Sequence, residues 1–410
     1  MTEWRKWDAF REGRATASRL AVFGNTRQVT SCSLPLTADS AKLVGKRSKS
    51  AMTSKERVKA AMNREPVDRV PIFMWFHPET TRILADLLEI PPAQVGGVMG
   101  NDVCQKWVAH NHAMEGIVHE RDGEGHTDFW GVEWERVDGF NQIKRYPLRG
   151  ASPGDVDAYP FPYDKIPDLL SNMDALAPFA EQYFIGCDVS PCVFEMFGRL
   201  FGMEDAMYQI ADATPAFQRF VRRSTDFMVA LSEQACQRYA MDWFWTGDDV
   251  GGQRGMMMSP EMWRELIKPE LARVYDVGKR HGLPVAYHSC GGIRPIIPDL
   301  IEMGLNVLNP IQCDCPGMDA LELKKDFGKH LTFMGGVDTI GLLPNGSPGD
   351  VRRATRALID DMTSDGGGYI LAASHTVAPE TSVDNIFAMY HEAGVTREAI
   401  FDAAAAVRRL

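Results

Sequence analysis

His288 and Cys290 stand two residues apart in the run HGLPVAYHSCGG, directly after the apolar, β-prone Val285-Ala286-Tyr287. In extended backbone, side chains at i and i+2 leave the same side, so an imidazole and a thiolate are offered to one ion. Zinc accepts both donors, and a catalytic zinc takes a third protein ligand while a fourth position stays open. His375, just after the apolar Tyr369-Ile370-Leu371, is the candidate third ligand. The same spacing would also suit a packed thiol beside a hydrogen-bonded histidine. The position of all three residues after predicted strands favours the metal, because strand C-termini concentrate function in parallel barrels.

Other polar residues follow apolar runs in the same way. Asp248 and Asp249, flanked by glycines after Trp243-Phe244-Trp245, are candidates to move a proton or to orient the ligand histidine through its other nitrogen. The neighbouring Gly251-Gly252-Gln253-Arg254-Gly255 offers backbone N–H groups to an anion, although its spacing matches no dinucleotide or Walker pattern. Trp75, His77, Glu195, Gln253, Tyr287, Gln312 and Asp338 are candidates to hold a substrate or acceptor. His77 reads equally as a cap for the helix that follows it, and Gln312 and Asp338 read more readily as supports than as reacting groups. Trp75, Phe76, Trp243, Phe244, Trp245 and Tyr287 could sandwich an aromatic ring, though alternate strand positions must face away from any such site.

The elements that would carry these residues alternate strand and helix. A helix over 55–63 ends at Glu65-Pro66, and Arg69 to Phe76 reads as the first strand. The pattern over 91–120 is helical. Residues 127–146 alternate apolar and polar around Asp138-Gly139, a hairpin signal placed as an insertion over the barrel mouth. Beyond a Pro- and Gly-rich connection at 147–167, strands are predicted at 183–187, 241–246, 285–287, near 307–308, near 333–334 and at 368–371, with helices between them. Seven or eight strands at this rhythm predict an α/β fold, a single (β/α)8 TIM barrel over 52–410. Residues 1–51 are more basic, Ser- and Thr-rich and without apolar period. They read as a poorly ordered N-terminal extension, with a mitochondrial presequence as the alternative.

Composition bounds the function. A net charge of −11 argues against a nucleic-acid surface, and no apolar run reaches the roughly 18 residues a spanning helix needs. A cytoplasmic protein acting on small molecules is expected. The eight cysteines are scattered and read as reduced thiols; Cys313-Asp314-Cys315 lacks the second pair of a structural zinc site.

Together, RVPIFMWFHPE, GDDVGGQRGMMMSPEMW, HSCGG, NPIQ, GGVDT and GGYILAASHTVAPETS resemble the uroporphyrinogen decarboxylase superfamily from about Met52 to the C-terminus, and within it the zinc-dependent methyltransferase branch. The decarboxylases resembled carry an Arg-rich motif after the first strand; MWFHPET has no arginine. Coenzyme M methylases carry a cysteine after the last strand where this chain has His375. That departure makes the ligand set less charged and so leaves the ion more electrophilic, which would suit a phenolate leaving group. The resemblance therefore implies an aryl O-demethylase, like the dicamba demethylases, passing a methyl group from a methoxylated aromatic to tetrahydrofolate. The alternatives are a corrinoid on a separate protein as acceptor, since no Asp-x-His-x-x-Gly signature is present, a metal-free decarboxylase, and a noncatalytic corrinoid or folate carrier. A homodimer is the family-based expectation.

Overall fold

The computed structural model describes residues 52–109, 119, 121–138 and 140–409, without the side chains of residues 140 and 141. The predicted N-terminal extension lies outside them. Seven parallel strands form one curled sheet: β1 (Val103–Trp107), β5 (Phe184–Asp188), β6 (Trp243–Gly247), β9 (Val285–His288), β10 (Leu305–Ile311), β11 (Thr332–Val337) and β12 (Tyr369–Ala373), neighbours in that order. Three antiparallel strands, β2 (Gly125–Thr127), β3 (Glu133–Val137) and β4 (Phe140–Arg145), make a separate sheet in the connection after β1.

Alternation along each strand explains the two packed layers. Trp243 and Trp245 point into the concave interior with Phe73, Phe184, Ala286, Val307, Met334, Ile370 and Ala372, while Phe244 and Tyr287 face the surrounding helices. Two adjacent indoles need room. Gly186 supplies it, since a Cβ there would lie 2.3 Å from Trp243 Nε1 and 2.4 Å from Gln105 Oε1. We expect Gly186→Ala to lower stability by about 1–3 kcal/mol through overpacking, read as a lower urea midpoint with an unchanged slope. Outside the sheet, the helix Pro215–Arg238 buries Phe217, Phe220, Val221, Ser224, Phe227, Met228 and Leu231, a stripe at the helical period.

The two edges of the sheet are tied by one segment. Ile72 and Phe76 bridge in parallel to Leu371 and Val377, and the Asp102 amide donates to Ile72 O. The strand expected over 69–76 is therefore a set of isolated bridges. Its hydrogen bonds go partly to side chains, with Ile72 N donating to Asp102 Oδ2 (2.9 Å) and Met74 N to Asn101 Oδ1 (3.2 Å). Asp102, fully buried, also accepts from Arg57 and Arg69. At the opposite end, the helix Ser54–Met62, opened by a Thr53–Glu56 capping box, sends Val58 into the interior cluster and pairs Lys55 and Lys59 with Asp242.

The helical reading of 91–120 needs correction. Helical turns occupy Pro92–Gln94 and Val95–Met99, but Val103–Trp107 is a buried strand paired with β5. The Gln-Lys pair inside it disguises the period. Gln105 is buried because its amide bonds Asp188 Oδ2 (3.2 Å) and accepts from the Trp243 indole (2.8 Å), satisfaction that only the tertiary structure supplies. The β3–β4 hairpin turns at Asp138 (φ 50°), as its Asp-Gly pair predicts. Trp130 and Trp134 are core residues, their indoles donating to Ala109 O and Asp128 Oδ2. No helix among the described residues is long and apolar enough to cross a membrane.

Candidate metal centre and cleft

At the C-terminal ends of β6 and β9 the registers place Gly247 beside His288, and His288 beside Asn309 of β10. The strand direction sends His288 inward, two positions after Ala286. Its Nδ1 lies 2.6 Å from Asn309 Oδ1, so Nδ1 carries the proton and Nε2 keeps its lone pair. That nitrogen is 3.5 Å from Cys290 Sγ and 3.5 Å from Asp249 Oδ1. Asp249 Oδ1 also accepts from the Cys290 amide (2.8 Å), which locks the two loops together.

The three donor atoms of Asp249, His288 and Cys290 all lie within 4.8 Å of one another. Bonds of about 2.0–2.3 Å to a tetrahedral zinc separate its N, O and S ligands by about 3.3–3.6 Å. The observed spacing and the mixed donor chemistry therefore fit zinc.

Surrounding charge supports the same conclusion. Glu195, on the helix Phe194–Phe201, accepts from the Asp249 amide, and burial with the Asp249 charge holds its carboxyl up at about 7. Burial and the same two carboxylates push the Cys290 thiol well up. A divalent cation would relieve this crowding. Arg199, one turn after Glu195, is the buried counter-charge, lowered to about 10 by burial. A lone arginine within FEMFGRLFG was the sequence signal for it.

The metal-free protein carries a measurable consequence. Between pH 4.5, the ordinary carboxyl value, and about 7 the folded state keeps a Glu195 proton that the unfolded chain releases, so stability falls as pH rises through that window. Asp248, raised by burial, acts in the same direction. Melting temperatures of chelated protein should fall across this range, and Glu195→Gln should flatten the slope.

The remaining predicted site residues separate by position. His375 and Trp75 line, with His288, Asn309, Phe73 and Met334, a small cleft open to solvent. His375 stands outside the three-donor group, whose third member is Asp249. Asp248 is fully buried, its oxygens accepting from the Val193 and Glu195 amides, so it holds the helix that presents Glu195 rather than opening on the cleft. Tyr287 is sealed in the helix layer, donating to Asp248 O. His77 caps the helix Pro78–Leu88 through the Glu79 amide. Asp338 accepts from the Ile340, Gly341 and Leu342 amides and so is bound up in its own turn.

Gln312 accepts from the Gly291 amide and donates to Gln253 Oε1, so both glutamines brace the 289–292 loop. The glycines of 251–255 serve close approach rather than an anion: they form the short ribbon β7 (Gly251–Gly252) and β8 (Gly255–Met256), and a Cβ on Gly251 would lie 2.5 Å from Cys290 O. Of the aromatic residues expected at the mouth, Trp75 reaches the cleft; Phe76, Trp243, Phe244, Trp245 and Tyr287 are buried and do not line it. Asn309 is not among the candidates read from the sequence: within NPIQ it ends an apolar run and carries no local sign that it faces His288.

This curled parallel sheet with its polar rim is the architecture of a known family. Residues 176–394, just over half of the chain, match uroporphyrinogen decarboxylase (URO-D), and the chain belongs to that family. Over 238 residues, 56% of this chain, it is 25% identical to a methylated-thiol–coenzyme M methyltransferase of Methanosarcina mazei and spans 59% of that relative's length. A solved methyltransferase from Methanosarcina mazei superposes with a TM-score of 0.61 at 18% identity, covering 84% of this chain and 98% of the other, a likeness of fold.

Proposed function

We propose that the chain is a zinc-dependent methyltransferase on a closed (β/α)8 barrel, removing the methyl group of a methoxylated aromatic such as a methoxybenzoate and passing it to tetrahydrofolate. The observation that carries this reading is the nitrogen, sulfur and oxygen donor set, with His288 Nε2 3.5 Å from both Cys290 Sγ and Asp249 Oδ1 and His288 itself lining a cleft walled by Trp75 and Phe73. His288, Cys290 and Asp249 would hold the ion, in place of the set with His375 expected from sequence. The Asp249 carboxylate gives this set the same charge as one with a second thiolate, so the electrophilicity argued from His375 no longer favours a phenolate, and the choice of an aromatic substrate rests on Trp75 and Phe73 at the cleft. Zinc bound there supplies a Lewis acid to the heteroatom that loses its methyl group.

The chain's own groups do the rest. Asn309 keeps His288 in the tautomer that offers Nε2. Trp75, whose ring centroid lies 5.5 Å from the His288 ring, offers a face for an aromatic substrate beside the ligands. His375, on the cleft and outside the donor group, is positioned to meet the substrate. Glu195, buried beside Asp249 and accepting from its amide, is placed to relay a proton.

A second reading has one observation in its favour: the relative acting on a methylated thiol. Zinc-loaded protein incubated with tetrahydrofolate and a panel of methoxybenzoates should yield methyl-tetrahydrofolate by mass. Product only with an added corrinoid protein overturns the acceptor, turnover of a methylated thiol alone overturns the substrate, and activity that survives chelation overturns the metal.

A further inference from the structure

Asn309 lines the cleft yet is 2% exposed, and only half of its amide is used within the protein. Oδ1 faces His288 Nδ1 at 2.6 Å, while Nδ2 forms no hydrogen bond among the described residues and is not among their sealed, partnerless atoms. Which amide atom meets the ring follows from the chemistry. For Nε2 to offer a lone pair to a metal, Nδ1 must hold the proton, so Asn309 must turn its oxygen to the ring. Both Nδ2 hydrogens are then left for something other than the protein. His375, lining the same cleft, likewise forms no hydrogen bond among the described residues.

We infer that Asn309 is a specificity-determining residue that orients His288 through Oδ1 and, through Nδ2 together with the His375 imidazole, hydrogen-bonds the carboxylate of the substrate. The substrate half rests on the aryl-ether reading above; the orienting half does not. Two donors lining one cleft select an oxygen acceptor, and a site built to bond such a group discriminates strongly against an analogue lacking it. The carboxylate at Asp249 does not oppose this once its charge is neutralised as a ligand.

The test uses three full-length proteins, wild type, Asn309→Asp and Asn309→Ala, and three probes: zinc ion against a chromophoric chelator, then 2-methoxybenzoate and anisole by calorimetry on zinc-loaded protein. Asn309→Asp keeps an acceptor for His288 Nδ1–H and loses the donor. It should hold zinc at least as tightly as wild type, bind 2-methoxybenzoate about tenfold or more weakly, and bind anisole unchanged. Asn309→Ala should lose about 10–100-fold in zinc affinity. Wild-type affinity for 2-methoxybenzoate in Asn309→Asp overturns the recognition role, and wild-type zinc affinity in Asn309→Ala overturns the orienting role. Should Asn309→Ala fail to fold, a loss of zinc by Asn309→Asp overturns the orienting role instead. Wild-type protein that binds neither organic probe sinks the aryl-ether reading and the recognition role with it, while the zinc measurements still decide the other half.

Discussion

On the proposed zinc centre, His288→Ala and Cys290→Ala should each give a folded protein that retains no stoichiometric zinc and carries out the proposed methyl transfer at least about a thousandfold more slowly than wild type. The size of the effect follows from the donor set. Three protein ligands leave none to spare, and removing one abandons a bidentate remnant among carboxylates that repel one another. The expected survival of the fold has an equally local reason. His288 is the last residue of β9, and the backbone bonds around it, Asp248 N to His288 O and Ser289 N to Asn309 O, do not involve either side chain. Metal content by plasma mass spectrometry, with far-ultraviolet circular dichroism as the control for folding, checks the prediction. Wild-type zinc content in Cys290→Ala would remove the thiol from the centre. Asp249→Asn separates the two candidate ligand sets, because it should lower zinc content, whereas His375→Ala should leave it unchanged.

Asp102→Ala is the substitution expected to cost the most stability, about 3–5 kcal/mol. The carboxylate is fully buried and accepts from Arg57 Nη1, from Arg69 Nη1 at 2.8 Å and Nη2 at 3.0 Å, and from Ile72 N at 2.9 Å. Its loss leaves two guanidinium groups short of a counter-charge and one backbone amide without an acceptor, at the place where segment 70–77 joins the two edges of the sheet. Arg57 keeps Asp68, so part of the charge stays compensated. Urea unfolding should report the loss as a lower midpoint, and Asp102→Asn should recover part of it by restoring an acceptor for Ile72 N. A change below about 1 kcal/mol would show that the closure does not depend on this residue.

Much of the sheet was legible because its strands are apolar on both faces. The runs at 241–246, 285–287 and 368–371 all became strands, and their polar successors all came to the same rim. The hairpin was legible from Asp138-Gly139. By contrast, β1 hid its buried Gln105, and segment 69–76 looked like a strand while bonding largely through side chains and single bridges. Neither can be read locally, since the partners that satisfy those groups, Asp188, Trp243, Asp102 and Asn101, are scattered along the chain or sit on the far side of a turn.

By itself the sequence determined which chemistry was on offer: an imidazole and a thiol at i and i+2 on an extended segment must leave the same side, whatever the remainder of the fold does. It also determined that this pair would sit at a strand end, because the apolar run before it is too short and too β-prone for a helix. Only the tertiary structure decided what joins the pair. Register between β6, β9 and β10 brought Asp249 and Asn309 to His288, while Tyr287 and Asp248 were turned into the packing. The reason is that inward or outward direction alternates at every residue of a strand, so which side chains from different strands meet depends on register, a property of paired strands that no single stretch of sequence contains.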